Sequence, residues 1–203
     1  MSRRSRILLA IAALSLLVTN VAPLWKIALL APQYPEGLRM YIWSHQMTGD
    51  LRSINGLNHY IGMKQIHPEA IPELRLMRPI VAVLALLGVI AAVWGRRRAL
   101  YAWTALFVAG SIVGLVDFWR WGYDYGHDLD PEAAIKIPGM SYQPPLIGVK
   151  QLLNFRASSW PSLAGWVVMT ALGVAVILVV VEWRRGRVRA ASLQAKAVSP
   201  ALA

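Results

Sequence analysis

Apolar residues fall in four long runs, at about 7–30, 77–94, 99–119 and 162–183, separated by two long mixed connectors and one very short basic turn. A bilayer needs roughly 17–25 apolar residues per helical crossing, and in lipid a backbone must satisfy its own hydrogen bonds. The pattern therefore predicts four transmembrane helices. The first run follows Arg3, Arg4 and Arg6 as a secretory signal would, but it continues through VAPLW with Pro23 directly after the best small residue, Ala22. It is expected to stay as an anchor.

The connectors, 31–76 and 120–161, are too long and too apolar to be mere linkers. In the first, Ser53 is a candidate N-cap for a short helix through Met63. At helical spacing Asn55, His59 and Met63 share one face, and Ile54, Leu57 and Ile61 another. That segment reads as an amphipathic helix lying on the membrane or on the second connector. In the second connector, Asp130 before Pro131 and Glu132 predicts a helix over PEAAIK, and SYQPPLIG an extended stretch. The expected fold class is an all-α integral membrane protein: four transmembrane helices, with two long outer connectors forming a small cap of short helices. Residues 1–190 make one domain, and the small, polar 191–203 a disordered cytoplasmic tail.

Composition agrees with this class, at 57% hydrophobic and a mean hydropathy of +0.47. Charge adds direction. Eleven of the 21 basic residues sit in clusters at run ends (Arg3, Arg4, Arg6; Arg96, Arg97, Arg98; Arg184, Arg185, Arg187, Arg189, Lys196), with Glu182 their only acid. The other ten share the connectors and their borders with nine acids. The positive-inside rule then puts both termini and the 96–98 turn in the cytoplasm and the connectors outside, in the periplasm of a bacterial inner membrane. Because each basic cluster flanks a span, the net charge of +11 does not point to nucleic acid.

With no cysteine, thiolate metal sites, iron–sulfur ligation and disulfide exchange are excluded. The four histidines, His45, His59, His67 and His127, all fall in the connectors, and none in a span, so no haem is expected between helices. Met40, Met47, Met63, Met77 and Met140 lie in or beside the connectors. Imidazole with thioether and no thiolate suits copper, above all Cu(I). The candidate ligands are His59 and Met63 from one helix face, with His127 and Met140 from the second connector. His45 and Met47, two apart in a strand, are weaker candidates, as are Asp124 and Asp128. The competing reading is ordinary: methionine fills gaps in apolar cores, lone histidines are commonly hydrogen-bonded structure, and Asp128 and Asp130 suit caps and turns. Asp117 beside Arg120 reads as a boundary ion pair, and Lys26 can snorkel outward. No nucleophile–base pair, phosphate loop or metalloprotease motif is visible, so no enzyme activity is expected.

YPEGL, INGLNHYIGM and the run YDYGHDLDPEAAIKIPGMSYQPPLIGVKQLLNF resemble a family of small four-helix membrane proteins encoded in nitrous oxide reduction gene clusters, near the reductase and its copper chaperone lipoprotein. The likeness covers roughly residues 20–185. It implies an accessory role in periplasmic copper supply, in maturation of that copper enzyme, or in electron delivery to it, with a periplasmic copper protein or chaperone as partner. It carries no catalytic residues across. The alternatives are a metal-free membrane scaffold or docking subunit for a periplasmic redox protein, and a redox subunit that uses a quinone. Ion conduction ranks last, because the spans hold too few polar residues to line a path.

Overall fold

The computed structural model describes residues 1–135, 137–152 and 154–198. Its chain order is α1 (Arg3–Ser15), β1 (Trp25–Ala31), β2 (Tyr34–Ile42), β3 (Met47–Gly49), α2 (Leu51–Ile61), α3 (Glu73–Trp94), α4 (Arg97–His127), β4 (Gly148–Leu152), β5 (Phe155–Pro161) and α5 (Leu163–Val198). The strands form one antiparallel sheet in the order β3-β2-β1-β5-β4. The protein is thus mixed α/β, which corrects the all-α expectation of four transmembrane helices with a helical cap.

The correction begins inside the first apolar run. Its helix ends at Ser15 and a 3-10 turn at Leu16–Asn20, and the remainder is β1. β1 carries one charge, Lys26, among Trp25, Ile27, Ala28, Leu29, Leu30 and Ala31, so by hydropathy it is continuous with the helix before it. Pro23 marks the break, and Ile27, Leu38, Met40 and Met47 then point into a core beneath the sheet. Three helices, Glu73–Trp94, Arg97–His127 and Leu163–Val188 within α5, are long and apolar enough to cross a membrane. Only 22–28% of their most apolar windows is buried within the protein. Ile80, Val83, Leu86, Val113, Val116 and Ile177 point outward, as suits a lipid solvent.

α1 packs on α3 and α5, and α4 on the same two helices. Small residues allow the close approach: Ala12, Ala13, Ala85, Ala91, Ala92, Ala171 and Ala175 are buried around Leu9, Leu100, Trp103 and Phe107. At the end away from the sheet, Glu182 is 1% exposed. Its carboxylate accepts from Ser2 N (3.0 Å), Ser5 Oγ (2.6 Å), Arg97 Nε (3.3 Å) and Arg185 Nη1 (3.2 Å). Arg6 donates to the carbonyls of Ala92 and Val93 at the end of α3. The basic clusters around Arg6, Arg97 and Arg185, dispersed in sequence, therefore meet at one pole, opposite the sheet.

Three further expectations change. α4 continues past 119 to His127, because Phe118, Trp121 and Tyr125 recur at helical spacing and cover the sheet core. The segment expected to be a helix from Asp130 is turn and bend: Asp130 Oδ1 accepts from Glu132 N at 2.8 Å, which satisfies the cap chemistry in an Asx turn instead. Lys136, the last residue of that expected helix, lies outside the described residues. α5 runs through Val198, into the stretch expected to be unstructured, and 199–203 lie outside the described residues.

Candidate functional site

The short helix read from INGLNHYIGM exists one turn earlier than Ser53 would start it, as α2 from Leu51. Asp50 precedes it, but its carboxylate accepts from Arg39 N in the neighbouring strand rather than capping the helix. Ile54 and Ile61 are buried on the sheet, and Leu57 is half-buried beside them. Gly62, in the left-handed region at φ 78°, ends the helix. Met63 N donates to Asn58 O (2.9 Å) and Gly62 N to His59 O (3.4 Å), a Schellman closure. The asparagines then hold the departing chain: Asn58 Nδ2 donates to Lys64 O, and Asn55 exchanges two hydrogen bonds with Ile66.

This helix end is joined to the second connector through the backbone. Asp130 N donates to Gly62 O (2.8 Å) and Ile135 N to Tyr60 O (2.9 Å), while within that connector Tyr142 N donates to Gly126 O (2.9 Å) and turns it back on the end of α4. Two glycines make the approach possible. A Cβ on Gly62 would lie 2.9 Å from Ala133 Cβ and 3.0 Å from Asp130 O, and one on Gly126 would lie 2.5 Å from Gln143 Cα. Lys64 pairs with Asp128 across the joint, and the hydrogen bond and charge of that carboxylate hold the Lys64 ammonium above its ordinary pKa.

The expected ligands take different positions around this joint. His59 is exposed on the last turn of α2, its ring against Tyr60. Met63 is half-buried just past Gly62. His127 closes α4, stacked on Tyr123 at 4.0 Å, with Nδ1 3.0 Å from Tyr123 O. A carbonyl only accepts, so Nδ1 donates to it, and in the neutral imidazole that tautomer leaves the Nε2 lone pair free. A backbone carbonyl orienting one ring nitrogen while the other is left for a metal is the usual outer partner of a ligating histidine. Met140 is half-buried two residues before Tyr142, whose amide bonds back beside His127. The joint thus gathers the two connector segments that hold His59, Met63, His127 and Met140.

The weaker candidates sit elsewhere or are engaged. Met47 is buried in the sheet core, while His45 lies before β3 with Nδ1 3.3 Å from Ser44 Oγ. Asp124 pairs with Arg120, and Asp128 with Lys64. Among the described residues no three of His, Asp and Glu gather as a metal cluster. Asp124, His127 and Asp128 are therefore not gathered around one point.

Sequence reasoning missed a cavity of about 80 Å³ between α2, the sheet and the end of α4. Met40, Met63, Trp121, Tyr125, Tyr142 and Phe155 contribute to its walls. Trp121 and Tyr125 stack there at 3.9 Å. Their i, i+4 spacing past the expected end of α4 was the available signal. Compared with known proteins, the chain matches no family model and no curated sequence.

Proposed function

We propose that the protein is a membrane-held accessory factor for copper, binding Cu(I) at the joint through His59, Met63, His127 and Met140 and exchanging it with a periplasmic copper protein. One observation carries the reading: the joint brings both donor-bearing segments together while Tyr123 O fixes the His127 tautomer that leaves Nε2 open. The donor set, two imidazoles and two thioethers, is the soft kind that favours Cu(I) over calcium or magnesium. Support for sidedness comes from the gathering of Arg6, Arg97 and Arg185 at the pole opposite the sheet, which by the positive-inside rule orients the joint outward. The resemblance to the nitrous oxide reduction family points the same way.

The test is anaerobic Cu(I) titration of the purified protein against a competing chelator. One tightly held ion is expected, lost in His127→Ala and weakened in Met63→Ala. Stoichiometric binding unchanged in a variant lacking all four side chains would remove the site. Sidedness is read separately. The chain has no cysteine, so Gly56→Cys, on the open side of α2, gives a single label that an impermeant reagent should reach from outside intact spheroplasts.

A second reading, docking without metal, has its own observation. The sheet face away from the core carries Lys26, Arg39 and Arg156 with exposed Leu30 and Trp160, and the register sets Ala28 between Arg39 and Ser158, and Leu30 opposite Arg156. An acidic partner surface suits it. Loss of a partner complex in Arg39→Glu with Cu(I) binding intact would favour this reading.

A further inference from the structure

The pole opposite the sheet holds many cations and almost no anions. Residues 1–20, 79–116 and 162–203 contain a single acid, Glu182, and its carboxylate is already shared by Arg97 and Arg185. Among the described residues Arg3, Arg4 and Arg6 meet no carboxylate. Like charges held this close repel, so their counter-anion has to come from outside the chain.

One groove at this pole joins that charge to an apolar floor. It lies between the start of α1 and the end of α3, has a volume of about 510 Å³ and is open to the outside. Arg3, Arg6, Ile7 and Ala10 contribute from α1, and Ala92 and Val93 from α3. Arg6 Nε donates to Ala92 O at 2.8 Å and Nη2 to Val93 O at 2.7 Å, which fixes the guanidinium in the wall with further N–H groups left over. Arg3 is exposed beside it. The volume falls within the roughly 300–1,000 Å³ of sites that take small-molecule ligands.

Neighbouring residues give the depth of the groove and its continuation. Exposed Trp94 follows Val93 directly, with Arg96 5.2 Å from its ring, and exposed Trp183 has Arg187 at 5.0 Å. Tryptophans beside arginines at the ends of membrane-crossing helices sit at the headgroup level, where the abundant anion is a lipid phosphate. From the groove, Ile7, Ile11 and Leu14 share one face of α1 and are all exposed, an apolar track leading away from the charged end.

We propose that this groove docks a phospholipid of net negative headgroup, its phosphate held by Arg3 and Arg6 and one acyl chain lying along Ile7, Ile11 and Leu14. A zwitterionic headgroup fits less well, because its own cation faces the arginines. The inference requires the chain to lie in a bilayer and is independent of copper, so a negative Cu(I) titration leaves it standing.

Native mass spectrometry of the full chain in detergent, titrated with dioleoyl phosphatidylglycerol or dioleoyl phosphatidylcholine, reads bound lipid directly. One phosphatidylglycerol should be retained in preference to phosphatidylcholine with the same chains. Arg3→Gln should lower that retention about fivefold, the worth of about 1 kcal/mol for one basic residue against anionic lipid. Arg187→Gln makes the same charge change away from the groove and should leave the first lipid in place. Glycerol 3-phosphate, a phosphate ester without chains, should not displace it. Equal retention of the two lipids by the parent chain would overturn the proposal. Equal losses in Arg3→Gln and Arg187→Gln would also overturn it, leaving only diffuse attraction to the basic pole, and displacement by glycerol 3-phosphate would do so in favour of a free phosphate ester. Because the two lipids are compared on the parent chain, that measurement decides even where a variant fails to fold.

Discussion

Alanine at Gly62 and alanine at Gly56 are one chemical change made twice on the same short helix, and the structure requires opposite signs. Gly62 sits at φ 78°, and its added Cβ would meet Ala133 Cβ at 2.9 Å and Asp130 O at 3.0 Å. The left-handed backbone alone costs a non-glycine residue about 1–2 kcal/mol. Relief of the contact needs Asp130 to withdraw, which forfeits its amide bond to Gly62 O, worth about 1 kcal/mol. The joint should thus lose about 2–3 kcal/mol. Gly56 lies within α2, and its Cβ would meet nothing within 4 Å. There alanine gains the helix propensity that glycine lacks, up to about 1 kcal/mol. Amide hydrogen exchange followed by mass spectrometry reads both. In Gly62→Ala the amides of Met63, Asp130 and Ile135 should exchange roughly 30- to 150-fold faster, the Boltzmann factor of that loss, with the apolar stretches of α3 and α4 unchanged. In Gly56→Ala exchange in α2 should slow. Protection at Asp130 and Ile135 unaltered by Gly62→Ala would refute the joint, and so would a shift of the same sign in both variants. Gly62→Asn should fall between, since asparagine tolerates this backbone region better than alanine.

Glu182→Ala removes the acceptor shared by Ser2, Ser5, Arg97 and Arg185; with Arg97 35% and Arg185 50% exposed, the loss should be about 2 kcal/mol rather than the 3–5 of a fully buried pair, read by SDS-induced unfolding. Gly88→Val overpacks the helical layer, because a Cβ there already lies 2.5 Å from Ala13 Cβ and 2.7 Å from the Trp103 ring; a loss of about 1–3 kcal/mol is expected in the same assay. The Lys64 ammonium is held above its usual 10.5 by Asp128. Whatever stability the pair contributes is therefore full below pH 10.5 and lost as pH rises through the higher folded value. An NMR titration of the Lys64 side chain should show a midpoint above 10.5 that falls back in Asp128→Asn, and an unchanged midpoint would refute the pairing.

Read alone, the chain determines much of its helical layer. Long uncharged runs leave few options for the backbone in lipid, so α3, α4 and α5 are legible from hydropathy, as is the clustering of arginines at run ends. α2 is legible too, because Ile54, Leu57 and Ile61 recur at helical spacing, although its start at Leu51 and its stop at Gly62 are fixed by the structure. The sheet is not. β1 holds a single charge, Lys26, among six apolar residues, so by hydropathy WKIALLA merges with the helix before it. β5 and β1 are partners separated by more than a hundred residues, a pairing that no local pattern encodes. The histidines and methionines could be picked out by type, yet which of them share a neighbourhood depends on backbone bonds from Gly62 and Gly126 to a distant segment. Met47, a weaker candidate than Met63 from the sequence, is sealed in the core by the register of β3 on β2. Donor chemistry belongs to residue identity; assembly belongs to long-range hydrogen bonding and close packing, which exist only once the chain has folded.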